Sequence, residues 1–157
     1  MRKWLWLSLV VAVLDQVSKI WVQAVFQEGD SMAVTGFFNL VLVYNEGAAF
    51  SFLSDAGGWQ RWFFVTLAVV ISVVLYNWIG NLQRHERSTA AALALILGGA
   101  WGNLVDRLLF GKVTDFIDIY YAHWHWPAFN IADSAIFLGV VLMLLGLLQE
   151  EQRGDAT

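Results

Sequence analysis

At 157 residues, with 59% hydrophobic and only 14% charged positions, the chain carries more apolar surface than a soluble domain of its size can bury. Uncharged runs of near-bilayer length supply the reason, and they make this a polytopic membrane protein read as one membrane domain over residues 1–157. The net charge of −4 does not suit nucleic acid, and the absence of cysteine excludes disulfides, thiolate metal sites and cysteine nucleophiles.

The start, Met1-Arg2-Lys3 followed by an apolar run from Trp4, mimics a secretory signal. Asp15 and Lys19 interrupt that run and no small-residue cleavage pair follows, so it is read as a retained first transmembrane helix over about 4–26. Asp15 lies roughly 16 Å along this helix at 1.5 Å per residue, near the bilayer midplane. Lys19 follows one turn later, where an acid and a lysine at i,i+4 pair on one face. A structural ion pair locking the helix to its neighbours outweighs direct chemistry there.

The segment at about 27–60 is expected outside the membrane. Glu28, Gly29 and Asp30 form a turn, and Val34 to Tyr44 is rich in β-branched and aromatic residues. That run is too short to span as a helix, so a small sheet or hairpin on the membrane surface fits better. Asp55-Ala56-Gly57-Gly58 closes the segment with breakers.

Helix two, at about 61–80, has no internal charge, with Arg61 free to snorkel and Trp59, Trp62 and Trp78 suited to the interfaces. A short basic connector holds Arg84, His85 and Arg87, and its histidine reads as a solvated loop residue. Helix three, at about 88–109, is rich in small residues, and Gly98 and Gly102 form a G-x-x-x-G that permits close helix approach. A second outer segment covers about 110–130, with Pro127 in the loop before helix four at about 131–149. The tail from Glu150 to Thr157 is polar and expected to fray. Arg2, Lys3, Arg84, Arg87 and Arg153 fall on one side of the membrane, which puts both termini in the cytoplasm. The acid-rich segments then face outward. The expected fold is all-α and polytopic, four transmembrane helices with a small extracytoplasmic β-cradle and surface loops.

Gly98 to Ser134 holds most of the residues that can do chemistry. Asn103, Asp106 and Arg107 stand at i, i+3 and i+4, so Asn103 shares a helix face with each, and a snorkelling Arg107 beside a helix-end carboxylate is an equal reading. Asp133 begins helix four, where the positive end of the helix dipole stabilises a carboxylate. If the outer segment folds back, Asp115 can meet it. Two carboxylates in one site cannot readily ionise together, so the pair offers an acid and a base at once. From spacing alone Asp118 serves as well as Asp115, and acids on a solvated loop are an equal alternative. His123 and His125 alternate with Trp124 and Trp126, a pattern that suits an interfacial aromatic belt better than a metal site with Asp118. Nothing in the spacing favours a serine–lysine dyad of Ser51 or Ser54 with Lys19 or Lys112.

Five blocks, in order, resemble the successive motifs of the lipoprotein signal peptidase (signal peptidase II) family. They are Asp15-Gln-Val-Ser-Lys19, Asn45-Glu-Gly-Ala-Ala-Phe50, Gly98-Gly-Ala-Trp-Gly-Asn-Leu-Val-Asp-Arg107, Val113-Thr-Asp-Phe116 and Phe129-Asn-Ile-Ala-Asp133. The resemblance implies an aspartyl membrane endopeptidase that removes the signal peptide of bacterial prolipoproteins before the diacylglyceryl-modified cysteine of the lipobox. It implies that Asp115 and Asp133 are catalytic, which selects Asp115 over Asp118. It further implies that Asn45, Asn103, Asp106, Arg107 and Asn130 line the substrate and inhibitor pocket, with Asp15 and Lys19 in support. Substitution at Glu46, Trp101 and Thr114 is expected not to disturb the chemistry.

The resemblance calls for no metal and no cofactor. It implies diacylglyceryl prolipoproteins, membrane lipids and globomycin-type inhibitors as partners, with a monomer as the default state. It places the protein in the bacterial cytoplasmic (inner) membrane with the active site on the extracytoplasmic side. Two rival classes fit the sequence less well. A small transporter relaying protons through Asp15 and Lys19 would want a polar path through helices two and four, and a structural scaffold leaves the polar residues at one interface unexplained.

Overall fold

The computed structural model describes residues 1–47 and 58–154, with side chains described through Leu148. Positions 48–50 of the Asn45 motif, Ser51, Ser54, the breakers at 55–57 and the side chains of the polar tail lie outside the described residues.

Four apolar helices of membrane-spanning length organise the chain, with a four-stranded antiparallel sheet at one end. A 3-10 turn (Arg2–Trp4) leads into α1 (Leu5–Val25), followed by β1 (Ser31–Thr35), β2 (Phe38–Asn45) and α2 (Trp59–Asn81). The chain continues through α3 (Arg87–Phe110), β3 (Val113–Tyr121), β4 (Trp124–His125) and α4 (Ile131–Gly154). Three helices end within two residues of their expected bounds. The fourth continues to Gly154, because Glu150 to Arg153 are good helix formers with no breaker before the glycine.

Helix α3 is the axis. Fifty-six per cent of its membrane window is buried, against 17% for α2 and α4, and it packs on all three other helices. Small residues permit this. A β-carbon on Gly98 would stand 2.7 Å from the Ser8 carbonyl oxygen of α1, and one on Gly99 would collide with the Ala132 carbonyl of α4. The expected glycine pair therefore seats α1 closely, and Gly99 does the same for α4. Leu75, Ile79 and Leu82 pack on Leu93 and Leu97 to close the α2–α3 seam.

The C-terminus of α3 is satisfied from two sides. Gly111 takes the left-handed conformation (φ +79°) and donates its N–H to the Arg107 carbonyl at 3.2 Å. Arg61 of α2 donates from Nη2 to the Leu108 carbonyl at 2.8 Å, so it caps a helix end as well as reaching the interface.

Val34 to Tyr44 forms a hairpin, since β1 and β2 pair antiparallel around Gly36 and Phe37. The outer segment after α3, read above without strands, supplies β3 and β4. The order is β1-β2-β3-β4, with Val43 opposite Asp115 and Asn45 opposite Val113. An irregularity between Leu40 and Val43 shifts that register by one residue. Residues Val113 to Phe116 are buried on both strand faces, because β3 also rests on α1 and α3. Val22, Leu42 and Phe116 form the small core beneath the sheet.

Candidate active site

The start of α4 fixes the first functional carboxylate. Asn130 accepts the Asp133 N–H on Oδ1 at 2.9 Å, and Asp133 accepts the Asn130 N–H on Oδ2 at 3.3 Å. This reciprocal arrangement is a capping box, so the helix cap itself sets the position of Asp133. Its other oxygen, Oδ1, accepts from Asn103 Nδ2 of α3 at 2.7 Å.

Strand β3 presents the second carboxylate. Asp115 accepts from Asn130 Nδ2 at 2.7 Å and from Asn45 Nδ2 of β2 at 3.2 Å. Asn45 is itself oriented, because its Oδ1 accepts the Gly47 N–H at 3.0 Å. The two aspartates, 18 positions apart in sequence, thus share the single side chain of Asn130. Asp115 is 3% exposed, while Asp133 is half-buried. Asp115 lies outside the membrane-spanning helices, and burial, then the neighbouring charge of Asp133, push its carboxyl up to about 7 from an ordinary 3.8. The Asn45 and Asn130 amides and the charge of Lys19 oppose that rise without cancelling it.

A second polar cluster adjoins the first inside the bundle. Lys19 Nζ lies 2.8 Å from Asp15 Oδ2 and 3.1 Å from Asp106 Oδ2, and donates to Asn103 Oδ1 at 3.0 Å. All three ammonium protons are used. Asp15 Oδ1 accepts the Ala132 N–H at 2.9 Å, tying α1 to the first turn of α4. Asp106 also accepts from the Thr114 N–H at 3.0 Å, which docks β3 one residue before Asp115. A β-carbon on Gly102 would stand 2.5 Å from Asp15 Oδ2, so the small residue also makes room for this cluster.

Arg107 does not snorkel outward. It donates from Nη2 to the Gly47 carbonyl at 3.2 Å and lies over the Phe64 ring at 4.9 Å, joining α3 to the chain after β2 and to α2. Its charge acts on both Asp115 and Asp133.

Every residue singled out by the five motifs, as far as it is described, therefore lies in one connected network. Asp118 does not. It accepts from Asn39 Nδ2 at 2.8 Å and pairs with His125 Nδ1 at 2.9 Å, on the far side of β3 from Asp115. Among the described residues no three His, Asp or Glu side chains gather where a metal ion could sit. Of the two lysines weighed for a serine–lysine dyad, Lys19 is held as above, and Lys112 Nζ lies 3.4 Å from the Tyr44 ring centroid.

Three participants were not singled out from sequence. Gln16 donates to Asp106 Oδ1 at 2.8 Å and to the Gly102 carbonyl at 3.0 Å, and Gln23 donates to Thr114 Oγ1 at 2.6 Å. Thr114, read as a position of free substitution, is buried and its hydroxyl is in use. The available signal was spacing: Gln16, Lys19 and Gln23 follow at i, i+3 and i+7, a polar stripe on an otherwise apolar helix.

The profile of the family described as Signal peptidase (SPase) II matches residues 7–149. The chain belongs to the signal peptidase II family. A lipoprotein signal peptidase from Cupriavidus necator is 53% identical over 152 residues, covering 96% of this chain and 85% of that protein. One from Aeromonas hydrophila is 49% identical over 156 residues, covering 99% and 93%. Among solved structures, a bacterial membrane enzyme determined by the in meso method superposes with a TM-score of 0.87 at 31% identity, covering 98% of this chain and 92% of that one. Membership in the signal peptidase II family makes this chain a peptidase, and its four spanning helices make it a multi-pass membrane protein.

Proposed function

We propose that this signal peptidase II removes the signal peptide of prolipoproteins, cleaving before the diacylglyceryl-modified cysteine of the lipobox with Asp115 and Asp133 as its catalytic pair. The observation that carries this reading is Asn130, whose side-chain Nδ2 donates to the Asp115 carboxylate while its backbone N–H donates to that of Asp133, so that one residue holds both to one site.

The raised Asp115 carboxyl holds a proton near neutral pH, while Asp133, receiving N–H donors from Asn103 and Asn130 at a helix start, acts as the base. A water between them loses a proton to Asp133 as its oxygen bonds the scissile carbonyl carbon, and Asp115 protonates the carbonyl oxygen. The tetrahedral intermediate collapses when Asp133 passes its proton to the leaving cysteine nitrogen. The C–N bond breaks, and Asp115 recovers its proton as the carbonyl re-forms. Asn45, Asn103 and Arg107 orient the peptide beside the pair, and Asp15, Lys19 and Asp106 hold Asn103 and β3 in register.

The site lies at the end of α3 and the start of α4, where a lipid-anchored substrate meets it without leaving its leaflet. In this reading the sheet end faces the extracytoplasmic side of the cytoplasmic membrane, both termini are cytoplasmic, and one chain forms a single membrane domain that works as a monomer. Globomycin-type inhibitors occupy the same pocket. The transporter alternative gains nothing, since among the described residues the polar network joins α1, α3, the sheet strands β2 and β3 and the first turn of α4 and does not run along α2 or the length of α4.

The deciding experiment is cleavage of a diacylglyceryl prolipoprotein by purified wild type, Asp115→Asn and Asp133→Asn in detergent. Each substitution should lower turnover by about 1,000-fold or more while globomycin still binds. Near-normal turnover in both variants would eliminate the two-aspartate mechanism.

A further inference from the structure

The end of the bundle away from Asp115 and Asp133 carries a second concentration of charge. The turn before α1 and the connector between α2 and α3 meet there, and Met1, Arg2, Lys3, Arg84 and Arg87 line one cavity of about 410 Å³. Arg2 lies against α2, its guanidinium 5.7 Å from the Tyr76 ring centroid.

Among the described residues, none of these four basic side chains has a carboxylate within ion-pair distance. Glu86, the acid of the connector, turns Oε2 to the Gln83 N–H at 2.6 Å. Of the other described lysines and arginines, Lys19 pairs with two acids, Arg61 donates to the Leu108 carbonyl and Arg107 to that of Gly47, while Lys112, like Arg2, lies over a tyrosine ring. A topological bias toward lysine and arginine needs these charges only on one side of the membrane. It does not need them around one cavity, where they repel each other until an anion arrives.

Guanidinium forks suit phosphate oxygens, and α3 begins at Arg87, bringing the positive end of its dipole to the same place. The cavity lies at the ends of the apolar helices α1, α2 and α3, where spanning helices leave a bilayer. Trp6 and Trp78 are exposed near it, and Val73 and Val74 leave an apolar strip of α2 open below. We propose that this cavity binds the phosphate headgroup of an anionic phospholipid, with the acyl chains along the Val73 and Val74 face of α2.

The test is native mass spectrometry of the delipidated protein titrated with phosphatidylglycerol, phosphatidylcholine or free glycerol phosphate. Wild type should prefer phosphatidylglycerol over phosphatidylcholine by about tenfold or more, given several cationic side chains at the headgroup. The double variant Arg84→Gln/Arg87→Gln should lose that preference, Arg84→Lys/Arg87→Lys should keep most of it, and Lys112→Gln, at the other end, should keep all of it. Arg2→Gln/Lys3→Gln repeats the test from a different element, and an unchanged thermal midpoint certifies each variant as folded. Equal binding of the two lipids by wild type, or an equal loss in Lys112→Gln, would overturn the site. Glycerol phosphate binding as tightly as the lipid would overturn the assignment to a membrane ligand.

Discussion

Two pairs of acids stand side by side in this protein, joined through Asn103, and the fold treats them in opposite ways. Asp15 and Asp106 are given a base: Lys19 spends all its protons on them and on Asn103, and backbone N–H groups of Ala132 and Thr114 complete the shell. Asp115 and Asp133 are given mainly neutral amides, from Asn45, Asn103 and Asn130. The first arrangement neutralises charge and locks elements together. The second leaves Asp115 without a compensating base, and burial raises its carboxyl to about 7. On the proposed reading, support and reactivity are thus separated by the partners supplied, although the acids are the same residue type.

Breaking the compensated side should give the largest structural effect. Lys19→Met leaves Asp15 and Asp106 buried without their base, an expected loss of about 3–5 kcal/mol in denaturant unfolding. Adding Asp15→Asn and Asp106→Asn should restore much of it, and wild-type stability in the single variant would show that the cluster is not the lock. Asn130→Ala strikes the reactive side instead. Turnover should fall about 100-fold as the Asp115 carboxylate loses its Asn130 donor and the Asp133 N–H loses its cap, while the lost helix cap removes only about 1–2 kcal/mol. A larger loss of stability than of catalysis would reverse the roles assigned to the two clusters.

Proton linkage sharpens the contrast. The Asp115 carboxyl titrates near 7 in the fold and near 3.8 in an unfolded chain, so the folded state binds the extra proton between those values. Its contribution to stability is full below about pH 4 and is lost as pH rises through about 7. Thermal midpoints of wild type, referenced to Asp115→Asn, should decline across that window, and a flat difference would contradict a proton on Asp115. The smallest effect belongs to Asp118→Asn. It should keep turnover within about twofold and change stability by about 1 kcal/mol, because Asn39 and His125 hold it away from the pair. Abolished turnover there would move the chemistry to the other face of β3.

The helices were legible in the sequence because lipid imposes length and apolarity directly, and Gly98 and Gly102 announced the close seam with α1. Strand β3 was not. Its first four residues are buried on both faces, so they lack the alternation that marks a half-buried strand, and two aspartates in the run argued for a loop. Asp115 and Asp118 were equivalent by spacing. Only the register of β3 against β2 and the helices below turns one toward Asn130 and the other toward His125. The capping box was present in Asn130-Ile131-Ala132-Asp133, a local signal that could have tied Asp133 to Asn130 before any fold was known.

Asn130 also sets when the site can exist. The residues that meet there come from β2, α3, β3 and the start of α4, and the last of them arrives only after three helices have been made. A ribosome that has reached Tyr121 has already supplied Asp115, yet that carboxylate still lacks Asn130 and its opposite number. On the proposed two-aspartate reading, the nascent protein has no complete site until Asn130 and Asp133 have followed.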